Sequence, residues 1–145
     1  MRTVVQRVSE ARVVVDGDVV SEIGSGLCVL LGVAADDDQD AAGRLARKVA
    51  QLRIFENEEG KFDRSVVETH GSALVVSQFT LIAETSKGNR PSFSHAARPE
   101  QAERLYEAFC GAVEDEGIEV KRGVFGARMS VELANDGPVT IVLEV

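Results

Sequence analysis

Asn135-Asp136-Gly137-Pro138-Val139-Thr140 decides how the last part of this sequence folds. Before it, Met129-Ser130-Val131-Glu132-Leu133 alternates apolar and polar residues, and after it Val139-Thr140-Ile141-Val142-Leu143-Glu144-Val145 does nearly the same. Alternation with period two marks a half-buried strand, so two strands flank a short polar connection. Asn, Asp, Gly and Pro are the residues that turns require, and the plain reading is a hairpin that closes the domain. A second reading rests on Pro138. An X-Pro bond is the only peptide bond with easy access to cis, and a cis bond turns the neighbouring carbonyls in directions a trans chain cannot reach. On these six residues alone the turn is the simpler reading.

Upstream, the patterns predict an α+β domain. Residues 3–8 and 11–15 are β-rich, Asp16-Gly17-Asp18 is a turn, 19–23 is a return strand, and Gly24-Ser25-Gly26 breaks it. The sequence thus opens as an antiparallel meander. Leu27 to Ala34 is a continuous apolar run and reads as a central strand buried on both faces. A helix is predicted over 38–51, capped by one of Asp36-Asp37-Asp38, with Ala41, Ala42, Leu45, Ala46 and Val49 on one face. Short strands at 53–55 and 61–63 flank a turn at 57–60, and 65–71 suggests a helical turn. Residues 72–81 read as a second central strand whose end turns polar at Ser77, Gln78 and Thr80. Open sheets tend to place ligands where a buried strand ends, although Ser and Thr can equally close a strand with local hydrogen bonds.

The loop 82–98 exceeds the ~12 residues that structureless loops normally reach, which marks it as functional or disordered. It carries Lys87, Arg90, Phe93, His95 and Arg98. Pro99 starts a second helix to about 116, stopped by Gly117, and a strand at 118–121 leads through a glycine-punctuated connection to the closing hairpin. The fold class is α+β: mostly antiparallel sheets, barrel-like, roughly seven or eight strands with two main covering helices, in a single domain over 1–145.

Composition narrows the function. Hydrophobic residues at 44% and charged residues at 28% are ordinary for a soluble domain, and no apolar run approaches the ~20 residues that span a bilayer. The start carries no signal-peptide pattern, so a cytoplasmic location is expected. Net charge of −8 argues against a general nucleic-acid coat, because phosphate neutralisation dominates such binding, and no DNA partner is expected. Basic residues nevertheless gather at Arg44/Arg47/Lys48/Arg53, Lys87/Arg90/Arg98 and Lys121/Arg122/Arg128, which permits a nucleic-acid partner or a plain solvated surface. Cys28 and Cys110 read as buried small hydrophobes, and His70 and His95 have no Cys or His neighbour. No metal and no cofactor are expected. Ser77 and Thr80 could be nucleophiles, but nothing ties a histidine to either. The glycine-rich stretches match neither a P-loop nor a dinucleotide fingerprint.

Ser77-Gln78-Phe79-Thr80-Leu81 together with Asn135 to Thr140 resembles the paired signatures of the D-aminoacyl-tRNA deacylases, also known as D-tyrosyl-tRNA(Tyr) deacylases. Gln6-Arg7-Val8 and Lys87-Gly88-Asn89-Arg90-Pro91-Ser92-Phe93-Ser94 look like the same family, and the resemblance covers the whole chain. It implies a homodimer that hydrolyses the ester between a D-amino acid and the 3′-terminal adenosine of tRNA. In that family the bond matching Gly137-Pro138 is cis and enters the partner subunit's site, where its carbonyls occupy the space of an L side chain. Glycine has nothing to clash, so some activity on glycyl-tRNA is implied too. Arg7 matches the brace of this motif and Asn135 belongs to it. Phe125 and Met129 match positions near the terminal adenine, although such residues are also ordinary core. For the chemistry, the resemblance favours main-chain N–H groups near Phe79 and Thr80, beside Ser77 and Gln78, with the 2′-hydroxyl of the ribose assisting water. The rivals are Thr80 as covalent nucleophile, a tRNA 3′-end binding dimer without turnover, and a structural dimer.

Overall fold

In the computed structural model, which describes residues 1–145, one strand organises the sheet. Strand β1 (Arg2–Val15) joins the two β-rich segments without a break. Along one edge, β8 (Ser130–Glu144) pairs with it antiparallel from Arg2↔Glu144 to Val14↔Ser130. Its other edge is shared: β3 (Gly26–Gly32) takes residues 2–8 and β2 (Asp18–Ile23) takes residues 11–15. The opening is therefore not a meander, because β2 and β3 each return to β1 and do not pair with one another. From β3 the sheet continues in parallel to β6 (Ser72–Ser77) and then β7 (Glu119–Arg122). It curls far enough to bring β2 against β6 and β7, which gives the barrel-like form.

The closing hairpin does not exist. Residues 130–144 form one strand, and the Asn135–Thr140 stretch is a bulge within it: Gln6 pairs with Thr140 and Val8 with Asn135, so residues 136–139 stand opposite Arg7 alone. A hairpin would turn the second half back onto the first. Both halves instead pair with the same strand, residues 130–135 with β1 residues 8–14 and residues 140–144 with β1 residues 2–6, and the surplus between them is absorbed as a bulge. The turn-forming chemistry is still used, because Asn135 Oδ1 accepts from the Val139 N–H at 3.1 Å across the bulge.

Helices α1 (Gln39–Gln51) and α2 (Pro99–Asp115) cover one face of the sheet. Asp38 caps α1, accepting from the Ala41 N–H at 2.9 Å, and Leu45 and Val49 are fully buried. From α2, Tyr106 and Phe109 enter the same core, and the Tyr106 hydroxyl donates to the Val75 carbonyl at 2.7 Å, tying the helix to β6. A second cluster, Val8, Ala11, Val13, Ile23, Cys28, Leu74 and Val76, fills the inside of the curl. A separate two-stranded hairpin, β4 (Phe55–Glu56) with β5 (Phe62–Arg64), pairs with no other strand. No helix is long and apolar enough to cross a membrane.

Candidate active site

The predicted strand over 72–81 ends early, at Ser77, and residues 79–82 wind into a 3-10 turn. The reason is local. The Gln78 N–H donates the last bond to Leu31, at 2.8 Å, and the chain then folds back over Gly32. A Cβ on Gly32 would lie 2.9 Å from Leu81 Cβ and 3.1 Å from the Gln78 carbonyl, so only glycine allows this approach. Phe79, Thr80 and Leu81 therefore sit on a turn beyond the strand. The first backbone bond of that turn runs from the Leu81 N–H to the Gln78 carbonyl at 3.1 Å. The Phe79 and Thr80 N–H groups precede it and have no partner within the turn, as at any helix start.

Thr80 is exposed, and its Oγ1 accepts from the Gln78 amide. That partner is not a base. Phe79 is 54% exposed and meets Phe93 edge-on, ring centres 5.0 Å apart. Phe93 belongs to the 82–98 loop, which is pinned and ordered: Glu84 and Ser92 exchange both backbone bonds, at 2.8 and 2.9 Å, and the His95 carbonyl accepts from Ala35. Hydrogen bonding by Ser86 holds the Glu84 carboxyl below its ordinary range. Lys87, Arg90 and Arg98 make no ion pair, and no group of three metal-ligating side chains converges anywhere.

The connection 123–129 borders the same strand end. The Gly123 N–H donates to the Val75 carbonyl at 3.0 Å, Met129 Sδ accepts from the Val124 N–H at 3.4 Å, and half-buried Phe125 tilts against Tyr106 at 6.2 Å. Ser77, Gln78, Phe79 and Thr80 thus stand together at the end of β6, while the neighbouring connection sends Phe125 to the helix-side core and Met129 to the cluster inside the curl.

Gly137 and Pro138 do not join them. The 3-10 turn meets β1 at Arg2, whose guanidinium donates to the Leu81 carbonyl at 2.8 Å, whereas the bulge faces Arg7. Five residues along a strand is about 17 Å. The Gly137–Pro138 peptide is cis, and both residues are exposed. Arg7 is 5% exposed; its Nε donates to the Asp136 carbonyl at 3.1 Å and one terminal nitrogen to the Ile54 carbonyl at 2.7 Å. Asn135 Nδ2 reaches Thr140 Oγ1 at 3.3 Å.

Residues 4–144 match the family D-Tyr-tRNA(Tyr) deacylase. This chain belongs to that family. It is 58% identical over 144 residues to the D-aminoacyl-tRNA deacylase of Anaeromyxobacter dehalogenans, covering 99% of this chain and 97% of that one. It is 54% identical over 145 residues to the D-aminoacyl-tRNA deacylase of Deinococcus radiodurans, covering both completely. Among solved structures, one described as c-Myc DNA Unwinding Element Binding Protein superposes with a TM-score of 0.94 at 45% identity, over 100% of this chain and 99% of that one. A probable eukaryotic D-amino acid tRNA deacylase shares the fold, with a TM-score of 0.84 at 19% identity over 99% and 98% of the two chains.

As a member of the D-Tyr-tRNA(Tyr) deacylase family, the chain holds contacts around its two motifs that sequence reading passes over. Ile54, Glu56 and Phe62 surround Arg7, and Arg2 holds the 3-10 turn. None has a spacing signal, since each contact joins segments distant in sequence. Arg7 alone among these is named from the sequence, through its match to the family's brace position and not through any pattern in its own strand.

Proposed function

We propose that this protein hydrolyses the ester bond of D-aminoacyl-tRNAs, releasing the free D-amino acid and tRNA and leaving L-aminoacyl-tRNAs intact. The observation that carries the reading is the end of β6, where the Phe79 and Thr80 N–H groups have no partner in their turn and no side-chain base stands beside Thr80. Such a place suits a reaction whose chemistry lies on backbone donors and on the substrate. Water adds to the ester carbonyl, the oxyanion takes the two N–H groups, and the bond to the ribose 3′-oxygen breaks as that oxygen gains a proton. Donors of this kind lower a barrier by about 3 kcal/mol each when fixed in advance. The 2′-hydroxyl of the terminal ribose positions the water. Phe125 and Met129, at the border of the same strand end, receive the terminal adenine, with Ser77 and Gln78 shaping the floor.

Selection falls to Gly137 and Pro138. Their bulge lies too far from the 3-10 turn of its own chain to act there, which supports a homodimer in which each subunit's bulge enters the other's site. The backbone of the bulge fills the space of an L side chain, while a D side chain points outward and is accepted at any size. Glycine meets no wall, so glycyl-tRNA, including glycine mischarged on alanine tRNA, is hydrolysed as well. The acting compartment is the cytoplasm.

The test is turnover of D-tyrosyl-tRNA and L-tyrosyl-tRNA by catalytic amounts of protein. Rapid hydrolysis of the D ester alone is expected. Equal rates refute chiral selection, and binding of the RNA with no hydrolysis identifies a tRNA-end binding module.

A further inference from the structure

The β4–β5 hairpin bonds to no other strand, yet it closes over the most buried charged side chain in the sheet. Ile54, which leads into it, accepts from the Arg7 guanidinium at 2.7 Å. Glu56 Oε1 lies 3.7 Å from the same group, and the Phe62 ring covers it, with the guanidinium carbon 5.6 Å from the ring centre. On the opposite side Arg7 holds the Asp136 carbonyl at 3.1 Å and lies 3.5 Å from the Asp136 carboxylate. The same guanidinium stands 3.3 Å from where a Cβ on Gly137 would be, so it is a direct neighbour of the bulge.

Phe62 is 54% exposed, so its ring is held against the Arg7 guanidinium on one face and open to solvent on the other. The hairpin is built to hold it. Asn57 Oδ1 accepts from the Glu59 and Lys61 N–H groups at 2.9 and 3.1 Å, and Arg53 donates to the Asp63 carbonyl at 2.7 Å while pairing with its carboxylate. The two residues flanking Phe62 are thereby fixed on both sides. An aromatic face over a guanidinium attracts it and keeps water off its remaining donors.

We propose that Phe62, carried by the β4–β5 hairpin, is a positioning residue for chiral selection: its ring locks Arg7 in the orientation that holds the Asp136–Pro138 bulge. This rests on the proposed selectivity of the bulge and adds a residue to it. Phe62 acts through Arg7 on a bulge whose proposed role is exclusion and not chemistry, so it touches the accuracy of the reaction and leaves the hydrolysis of the D ester near its unaltered rate.

The experiment compares Phe62→Leu, which keeps an apolar side chain without the aromatic face, with Phe62→Tyr, which keeps the ring. Rates on D- and L-tyrosyl-tRNA are measured for both variants and for the unaltered protein, and thermal unfolding is recorded in parallel. Phe62→Leu is expected to raise the L-to-D rate ratio by about tenfold, and Phe62→Tyr to stay within about twofold of the original ratio. Loss of melting temperature with an unchanged ratio in Phe62→Leu overturns the proposal, because a merely structural hairpin would behave so. An equal shift in both variants overturns it too, since the aromatic face would then not matter. If the unaltered protein itself fails to distinguish D from L, the selectivity reading falls and takes this inference with it.

Discussion

Arg7 Nε donates to the Asp136 carbonyl at 3.1 Å while another nitrogen of the same side chain donates to Ile54 at 2.7 Å, so one guanidinium ties the β8 bulge to the lead-in of the β4–β5 hairpin. The planar fork fixes both donors in one rigid unit. A lysine's three donors share one nitrogen on a flexible stem and do not reproduce that spacing. Arg7→Lys is expected to leave one buried carbonyl unsatisfied and to lower stability by about 2 kcal/mol. Urea unfolding checks the first effect. The second is a rise in L-aminoacyl-tRNA hydrolysis, because the bulge loses its tie. A variant with native stability and native selectivity would remove Arg7 from the account.

Gly137 has φ +133°, and a Cβ there would lie 2.8 Å from Val139 Cγ2, 3.0 Å from the Val139 nitrogen and 3.3 Å from Arg7. Two obstacles therefore meet at one atom: a backbone conformation that L residues rarely adopt, and a contact with main chain that cannot rotate away. Gly137→Ala is expected to cost about 1–3 kcal/mol. The melting temperature should fall by about 5 °C. Discrimination between D and L esters should weaken at the same time, which the paired deacylation assay reads directly.

Thr80 separates backbone catalysis from a covalent route. Its hydroxyl has the Gln78 amide as partner and no base to take its proton. Thr80→Ala retains the N–H group and should hold the single-turnover rate on D-tyrosyl-tRNA within about tenfold of the original. Loss of nearly all rate would instead make Thr80 a nucleophile.

The apolar patterns were sufficient for the frame. Helical spacing put α1 and α2 within about a residue of their observed limits, and the unbroken run after Gly26 marked β3 as central. Periodicity reports which face is buried and not which strand lies beside it, so it could not show that β1 takes three partners. The Asn135–Thr140 stretch misled for a related reason. A bulge and a hairpin use the same turn residues, and only the β1 register, with Gln6 opposite Thr140 and Val8 opposite Asn135, tells them apart. At the end of β6 the polar residues were legible, whereas the switch to a 3-10 turn depended on the missing Cβ of Gly32 in a neighbouring strand. Where patterns stopped, family signatures supplied the candidate site. They did not reach Phe62, whose role exists only through its position over Arg7.

The two thiols set a limit at high pH. Cys28 lies within the curl and Cys110 on α2 against the core, and burial pushes them from the ordinary 9.0 up to about 11 and about 12. Because the folded values are raised, the unfolded chain loses its thiol protons first. Their contribution is complete below pH 9 and is withdrawn as pH rises through 9 toward 11 and 12. In that window each thiol steepens the loss of stability by up to about 1.4 kcal/mol per pH unit. Urea titrations at pH 7, 9 and 10 should show the decline, and the double variant Cys28→Ala/Cys110→Ala should flatten it. At pH 8 a disulfide reagent should label neither thiol in the folded protein and both after unfolding. Rapid labelling of the native chain would show that one of them is open to solvent, and the high-pH argument would fail with it.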